Sequence, residues 1–135
     1  MKPILKSLLF CVVISSGIQG SRGQEASDPP DRILRHVVLF SFKEGTPETK
    51  VAEICNALEA LQGPIPEIKG FEWGLNNSPE GHNKGFTHCF LLTFYSEEDR
   101  DTYLPHPAHK AFGDLAGPHI EDVLVVDYWA DSPKK

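Results

Sequence analysis

Basic charge is scarce in this chain of 135 residues. Its 13 lysine and arginine residues are outnumbered by 19 aspartate and glutamate residues, so the formal net charge at pH 7 is -6. Nucleic acids and anionic membrane surfaces are bound by clustered lysine and arginine side chains, which offset phosphate charge. The sequence contains no such cluster. We therefore expect no nucleic-acid partner and no membrane-surface partner.

Long apolar runs are also lacking. The most apolar stretch is residues 8–14, with Lys2 and Lys6 before it and serine and glycine residues after it. A helix that spans a bilayer needs about 20 apolar residues. A basic start, a short apolar run and a small-residue cleavage site are instead typical of a secretory signal peptide. We predict a signal peptide over residues 1–23, a mature chain that begins at Gln24, and export to a periplasm or by secretion.

Cysteine occurs three times, and Cys11 lies within the predicted signal peptide. The remaining pair, Cys55 and Cys89, could form one disulfide in an oxidising compartment. Cys55 falls on the apolar side of a predicted helix and Cys89 within a predicted strand, and buried free cysteines are common in such places. The sequence favours two free thiols and leaves the disulfide open. Glycine-rich phosphate loops, nucleophile elbows and CxxC motifs are absent from the sequence.

Hydrophobic periodicity divides the rest of the chain into a tether, one domain and a tail. Residues 24–33 are polar and contain Pro29 and Pro30, so they are expected to form a flexible tether. The domain is predicted to cover residues 34–131, and residues 132–135 form a polar tail. Its predicted strands are residues 36–42, 68–75, 86–94 and 123–129.

Two helices are predicted between these strands. The first has Thr46 as its N-cap and Pro47 at its first position, and it ends at Gly63. The second begins after Ser96, which with Asp99 approximates a capping box. Prolines 105 and 107 interrupt this second helix, which resumes over residues 109–115.

The element order β-α-β-β-α-β predicts an α+β fold of the ferredoxin-like class, with a four-stranded antiparallel sheet and both helices on one face. A sheet with one face in water normally alternates apolar and polar residues. The first and last strands are apolar on both faces. Since no further sequence is left to cover the second face, we expect a second copy of the chain to do so, in a closed two-fold homodimer.

Several spaced motifs resemble the stress-responsive A/B barrel (Dabb) family. They are HVVLFSFKE at 36–44, IPEIKG at 65–70, WG at 73–74, GFTH at 85–88 and YLPHPAH at 103–109. The resemblance covers residues 34–129 and implies that ferredoxin-like monomers pair into a dimeric alpha/beta barrel. Most members of the family are small domains without a known reaction. The resemblance therefore implies small-molecule binding or a stress-related role without demonstrated catalysis.

A plant cyclase of the same family suggests an alternative, a cofactor-independent cyclase or lyase that acts on a small apolar carbonyl compound. By this resemblance His109 matches the catalytic histidine and Tyr103 the tyrosine that assists it. The histidines in or beside the cyclase cavity match His36 and His88, while Leu58 replaces a tyrosine of its substrate pocket. An imidazole can remove a proton next to a carbonyl group, and a phenol can hold the resulting oxyanion.

A ligand pocket is a further prediction, since aromatic side chains on the strands could line one. Its predicted lining residues are His36, His88, Phe40, Trp73, Phe90 and Phe112. Ordinary core packing, with each buried imidazole hydrogen-bonded, accounts for the same residues. The histidines of the HPAH segment (residues 106–109) could likewise cap a broken helix. Converging imidazoles could also hold a metal, but their spacing matches no known metal motif, so neither metal nor cofactor is predicted. A third class, a barrel that binds haem or a small molecule as related monooxygenases do, requires a cavity.

Overall fold

The structure, a computed structural model, describes residues 28–133. The predicted signal peptide, the start of the predicted tether and the last two residues of the tail lie outside the described residues. The elements are strand β1 (Arg32–Phe42), helix α1 (Glu48–Ala60), strand β2 (Gly70–Leu75), strand β3 (His88–Phe94), helix α2 (Glu97–Tyr103), helix α3 (Pro107–Ala116), a 3₁₀ turn (Gly117–His119) and strand β4 (Ile120–Asp131).

The four strands form one antiparallel sheet in the order β2-β3-β1-β4. This is the ferredoxin-like arrangement, so the predicted fold class is confirmed. Strand β1 starts at Arg32, and Ile33 pairs with Ala130 and is buried. Two residues predicted to belong to the tether are therefore part of the sheet, because the long last strand reaches far enough to pair with them.

The hydrophobic core lies between the helices and one face of the sheet, which we call the inner face. Helix α1 buries Ile54, Cys55 and Leu58, whose helical spacing places them on one side. Fully burying a large apolar side chain contributes about 1.5–3 kcal/mol. The inner-face strand residues in this core are Leu34, Val38, Phe40, Phe90, Leu92 and Phe94.

Helix starts agree with the sequence prediction in one case and differ in the other. The Oγ of Ser96 accepts a hydrogen bond from the backbone N–H of Asp99 at 3.0 Å, as predicted for an N-cap. Thr46 is not the N-cap of α1, a position that Pro47 occupies. Its hydroxyl instead donates to the carbonyl of Lys43 at 2.8 Å and closes the preceding turn.

The opposite face of the sheet, here called the outer face, is apolar at its centre and lacks a helix among residues 28–133. Strand register places Val37, Leu91 and Val126 side by side on it, next to Leu39 and Leu124. Leu124 and Val126 are 42% and 47% exposed. In the described part of the chain, no helix is long and apolar enough to cross a membrane.

Both described cysteines are free thiols. Cys55 belongs to the core beneath α1, where burial raises the pKa of its thiol. Cys89 is exposed and pairs with Leu39 in the outer-face register. The sheet therefore separates the two sulfur atoms.

Candidate functional site

A cavity of about 670 Å³ opens between strands β1 and β4 and the helices above them. Its walls include Val38, Phe40, Leu58, Phe112, Val123 and Val125, and its polar side chains include His36, Tyr103, His109 and Asp127. The walls are thus apolar over most of their area, with polar groups at a few places, as is usual for small-molecule sites.

His109 is held by the break between α2 and α3. Its Nδ1 lies 2.9 Å from the carbonyl oxygen of Leu104. A carbonyl oxygen only accepts hydrogen bonds, so Nδ1 carries the proton that is donated. In the neutral ring Nε2 is then the basic nitrogen, and it has no hydrogen-bond partner among residues 28–133. His109 is therefore oriented to act as a proton acceptor.

Tyr103 ends helix α2, and only 1% of it is exposed. Its ring centroid lies 4.3 Å from that of His109. Burial disfavours the phenolate and raises the pKa of Tyr103, so its hydroxyl stays protonated and can donate a hydrogen bond. Within the described part of the chain, no protein atom accepts that bond.

His36 lies on the inner face of β1 and is buried, with 5% exposed. Its Nδ1 is 2.6 Å from Oδ1 of Asp127, the residue directly opposite it on β4. The other carboxylate oxygen, Oδ2, accepts a hydrogen bond from Arg100 at 3.0 Å. Hydrogen bonds to Asp101 and then to Asp127 raise the pKa of the Arg100 guanidinium.

Three atoms that can exchange protons have no hydrogen-bond partner among residues 28–133: Nε2 of His36, the hydroxyl of Tyr103 and Nε2 of His109. Among the described residues, every fully buried side-chain nitrogen or oxygen has a hydrogen-bond partner. All three residues line the cavity. The ring of Tyr103 contacts both imidazoles, at 5.8 Å from His36 and 4.3 Å from His109.

The charged groups at the cavity are acidic. Glu121, Asp122 and Asp127 are among its lining residues, while lysine and arginine are absent from that lining. Gly113 also faces open space, since a Cβ built there would meet nothing within 4 Å. Such a site has room for an uncharged ligand and has no cation with which to bind an anion.

The pocket residues predicted from the sequence fall into two groups. His36, Phe40 and Phe112 line the cavity together with Tyr103 and His109. The other three predicted residues, His88, Trp73 and Phe90, are not part of its lining. Strands β2 and β3 lie on the far side of β1 from β4, whereas the cavity lies between β1, β4 and the helices.

His88, Trp73 and Phe90 form an aromatic stack near the β2 edge. The rings of Trp73 and His88 are 6.2 Å apart and nearly parallel. Nδ1 of His88 lies 2.8 Å from the Thr87 hydroxyl, and burial lowers the pKa of His88. Among residues 28–133, no three histidine, cysteine, aspartate or glutamate side chains are grouped closely enough to hold a metal ion.

Sequence reasoning gave Asp127 no functional role. Its position between His36 and Arg100 follows from the pairing of β1 with β4 and from the placement of α2 over that edge. A carboxylate within the otherwise apolar segment 123–129 was the available signal, since a buried acid needs a partner.

A four-stranded ferredoxin-like sheet with a histidine- and tyrosine-lined cavity between it and its helices defines a small α+β domain. The family model described as Stress responsive A/B Barrel Domain matches residues 34–130, and the chain belongs to this family. The resemblance noted from the sequence motifs is thereby confirmed.

Two curated relatives match over most of their length. The stress-response A/B barrel domain-containing protein HS1 of Arabidopsis thaliana is 37% identical over 105 residues, which are 78% of this chain and 93% of that protein. Olivetolic acid cyclase of Cannabis sativa is 31% identical over 102 residues, which are 76% of this chain and 98% of that protein.

Solved structures show the same fold. Hydroxynitrile lyase from Passiflora edulis has a TM-score of 0.71 at 28% identity, and the match covers 78% of this chain and 100% of that one. A dimeric protein of unknown function from Bacteroides fragilis, with a ferredoxin-like fold, has a TM-score of 0.58 at 28% identity, over 71% of this chain and 94% of that one.

Proposed function

We propose that this protein binds a small, neutral carbonyl compound in the cavity and transfers a proton within it, as a cofactor-independent enzyme of the cyclase or lyase type. The observation that carries the proposal is the set of three unpartnered proton-exchanging atoms around one apolar cavity. Two proteins similar to this chain are named as a cyclase and a lyase, which supports the same class.

The proposed step is removal of a proton from the carbon next to the carbonyl group. The C–H bond breaks, the proton goes to Nε2 of His109, and the electron pair moves through the new C=C bond onto the carbonyl oxygen. The protonated hydroxyl of Tyr103 then donates to that oxygen. A donor fixed at a developing oxyanion in an apolar site commonly supplies about 10²–10³-fold in rate.

Exchange of the methyl protons of acetophenone for deuterium tests this step, because it needs only a base and an oxyanion donor. In D₂O, followed by proton NMR, we expect the protein to accelerate exchange above buffer, with His109→Gln slowed at least tenfold and Tyr103→Phe slowed by roughly 10². His82→Gln, a change at an exposed loop histidine, is the control and should match wild type. Benzoate should not compete, because the cavity lining holds no cation.

Exchange that is insensitive to His109→Gln would overturn the proposal. Saturable binding of acetophenone without exchange would instead favour the second candidate, a binding protein without catalysis. One observation favours that candidate: the imidazoles of His106 and His109 both bond to backbone groups at the helix break, with His106 Nδ1 accepting from Ala108 at 3.1 Å. The two candidates share the cavity and differ in turnover.

The proposal includes a homodimer and export. The apolar outer face and the dimeric protein of similar fold support pairing of two copies. The basic start and apolar run of residues 1–23 support export of a chain that begins at Gln24. N-terminal sequencing of protein recovered outside the cytoplasm should begin at Gln24, and recovery of Met1 there would contradict signal cleavage.

A further inference from the structure

Two hydrogen bonds connect three side chains at the edge of the cavity. They run from Arg100 on α2 through Asp127 on β4 to His36 on β1. The side chains of Arg100 and Asp127 are 22% and 27% exposed, and that of His36 is 7% exposed. The other nitrogens of the guanidinium, Nε and Nη2, donate to Oδ1 of Asp101 at 3.2 and 3.1 Å.

We infer that Arg100 and Asp127 are positioning residues, which hold His36 with its proton on Nδ1 and so present Nε2 as a second proton acceptor at the cavity. The inference rests on the proposed function only for its catalytic consequence. The orientation of His36 is a property of the folded chain and can be measured without any ligand.

The donors and acceptors of these two hydrogen bonds fix the orientation and the proton position of the His36 ring. A guanidinium only donates, so Arg100 uses one oxygen of Asp127 as an acceptor. The other oxygen faces Nδ1 of His36, and a carboxylate accepts, so Nδ1 must donate. Nε2 of the neutral ring then carries a lone pair, and it has no protein partner within residues 28–133.

The result is a site with two imidazoles held in the same way. His109 is fixed through Nδ1 by a backbone carbonyl, and His36 is fixed through Nδ1 by a carboxylate. Tyr103 contacts both rings. Two positions of one bound ligand can therefore lose a proton, one to each Nε2, while the phenol donates to the carbonyl oxygen.

Asp127→Asn tests the positioning because Arg100 dictates how the new amide must lie. The guanidinium requires an oxygen, so the amide oxygen turns to Arg100 and the NH₂ group turns to His36. Nδ1 must then accept, and the proton moves to Nε2. In Arg100→Met/Asp127→Asn the amide is free to turn its oxygen to His36, and the proton returns to Nδ1. Arg100→Met alone keeps the carboxylate and should leave the proton on Nδ1.

The measurement is the ¹⁵N chemical shifts of the His36 ring at pH 8.5, well above the ordinary histidine titration range. We expect the proton on Nδ1 in wild type, on Nε2 in Asp127→Asn, and on Nδ1 in both variants that carry Arg100→Met. A merely structural role for Arg100 would not reverse the effect of Asp127→Asn. The inference would be overturned if the His36 proton of wild type lay on Nε2, or if the His36 ¹⁵N shifts of Asp127→Asn matched those of wild type.

Deuterium exchange on acetophenone gives a second readout. In a His109→Gln background, where His36 is the remaining acceptor, Asp127→Asn should slow the residual exchange by about tenfold or more, and further addition of Arg100→Met should recover most of it. Equal residual rates in His109→Gln and in His109→Gln/Asp127→Asn would overturn the catalytic consequence. Absence of exchange in wild type would instead count against the proposed function, while the ¹⁵N pattern would still decide the orientation of His36.

Discussion

Two histidines on the inner face of the sheet, His36 buried and His88 partly buried, meet different partners. His36 faces a carboxylate on the neighbouring strand, whereas His88 faces only a neutral hydroxyl and aromatic rings. Burial without an opposite charge disfavours an imidazolium, and it lowers the pKa of His88 below its ordinary value near 6.5. The ring of His88 is therefore neutral in the folded protein near pH 7.

This difference has a consequence for stability as a function of pH. Since the folded pKa of His88 is lowered, the unfolded chain binds more protons as the pH falls below about 6.5. The stability that the neutral ring contributes is fully present above that pH and is lost as the pH falls towards the folded pKa. We expect the melting temperature of wild type to fall more between pH 7.5 and pH 5.5 than that of His88→Gln, measured by circular dichroism.

His88→Gln is a suitable variant because glutamine keeps a polar group near Thr87 but does not titrate. All other titrating groups are shared, so the difference between the two melting curves isolates His88. An equal or larger loss of stability in the variant would contradict the prediction.

Residue contacts that depend on local sequence were predictable, and those that depend on strand register were not. The motif that joins Tyr103 to His109 is contained in seven consecutive residues, so a resemblance could identify the pair. Asp127 meets His36 only because β4 pairs with β1 in the register that sets the two residues opposite each other. Trp73 was predicted to line a pocket from its aromatic character on a strand, and it lies on β2, at the opposite edge of the sheet from β4 and the cavity.

At the level of elements, the break between α2 and α3 creates the site. In a continuous helix, residues six positions apart point in directions about 120° apart and are separated by about 9 Å along the axis. The break after Tyr103 instead brings its ring to 4.3 Å from that of His109. Prolines 105 and 107 make the break, since proline lacks the N–H that a helix interior requires.

The same break shows why the cap and active-site interpretations of these histidines do not exclude each other. His106 accepts from a free N–H at the start of α3, as a cap does. His109 donates to a carbonyl that the end of α2 leaves unpaired, and this bond is what directs Nε2 to the cavity. One nitrogen of His109 therefore serves the fold and the other is available for chemistry.

Strand ends were less predictable than strand centres. The last strand was predicted over residues 123–129, but β4 extends over Ile120–Asp131. Its additional residues are held by pairing with β1, which itself begins at Arg32. An acidic pair near the start of β4, Glu121 and Asp122, does not suggest a strand by local propensity, so tertiary pairing decides its extent.

For the whole molecule, the apolar character of both faces of the sheet was visible in the sequence. The structure places α1, α2 and α3 against the inner face, and the outer face has an apolar centre with Arg35, Ser41 and Glu72 around it. An apolar centre with a polar margin is the usual composition of a protein interface. A second copy can cover such a centre with the same surface, since a two-fold interface is self-complementary.

A charge placed at this centre tests the homodimer. Val126 lies opposite Val37 in the middle of the outer face and is 47% exposed. Val126→Lys would bury two unpaired ammonium groups in every dimer, one from each copy, and desolvation of an unpaired charge is costly. We expect wild type to have the mass of two chains in light scattering at micromolar concentration, and Val126→Lys to have the mass of one.

The control is Leu104→Lys, which alters a leucine of similar exposure on the helix side of the sheet. It should leave the mass at two chains, because the proposed interface does not include that side. Circular dichroism should show that both variants stay folded, since each side chain is partly exposed in the monomer. A wild-type mass of one chain, or equal dissociation by the two substitutions, would mean that the outer face is not where the copies meet.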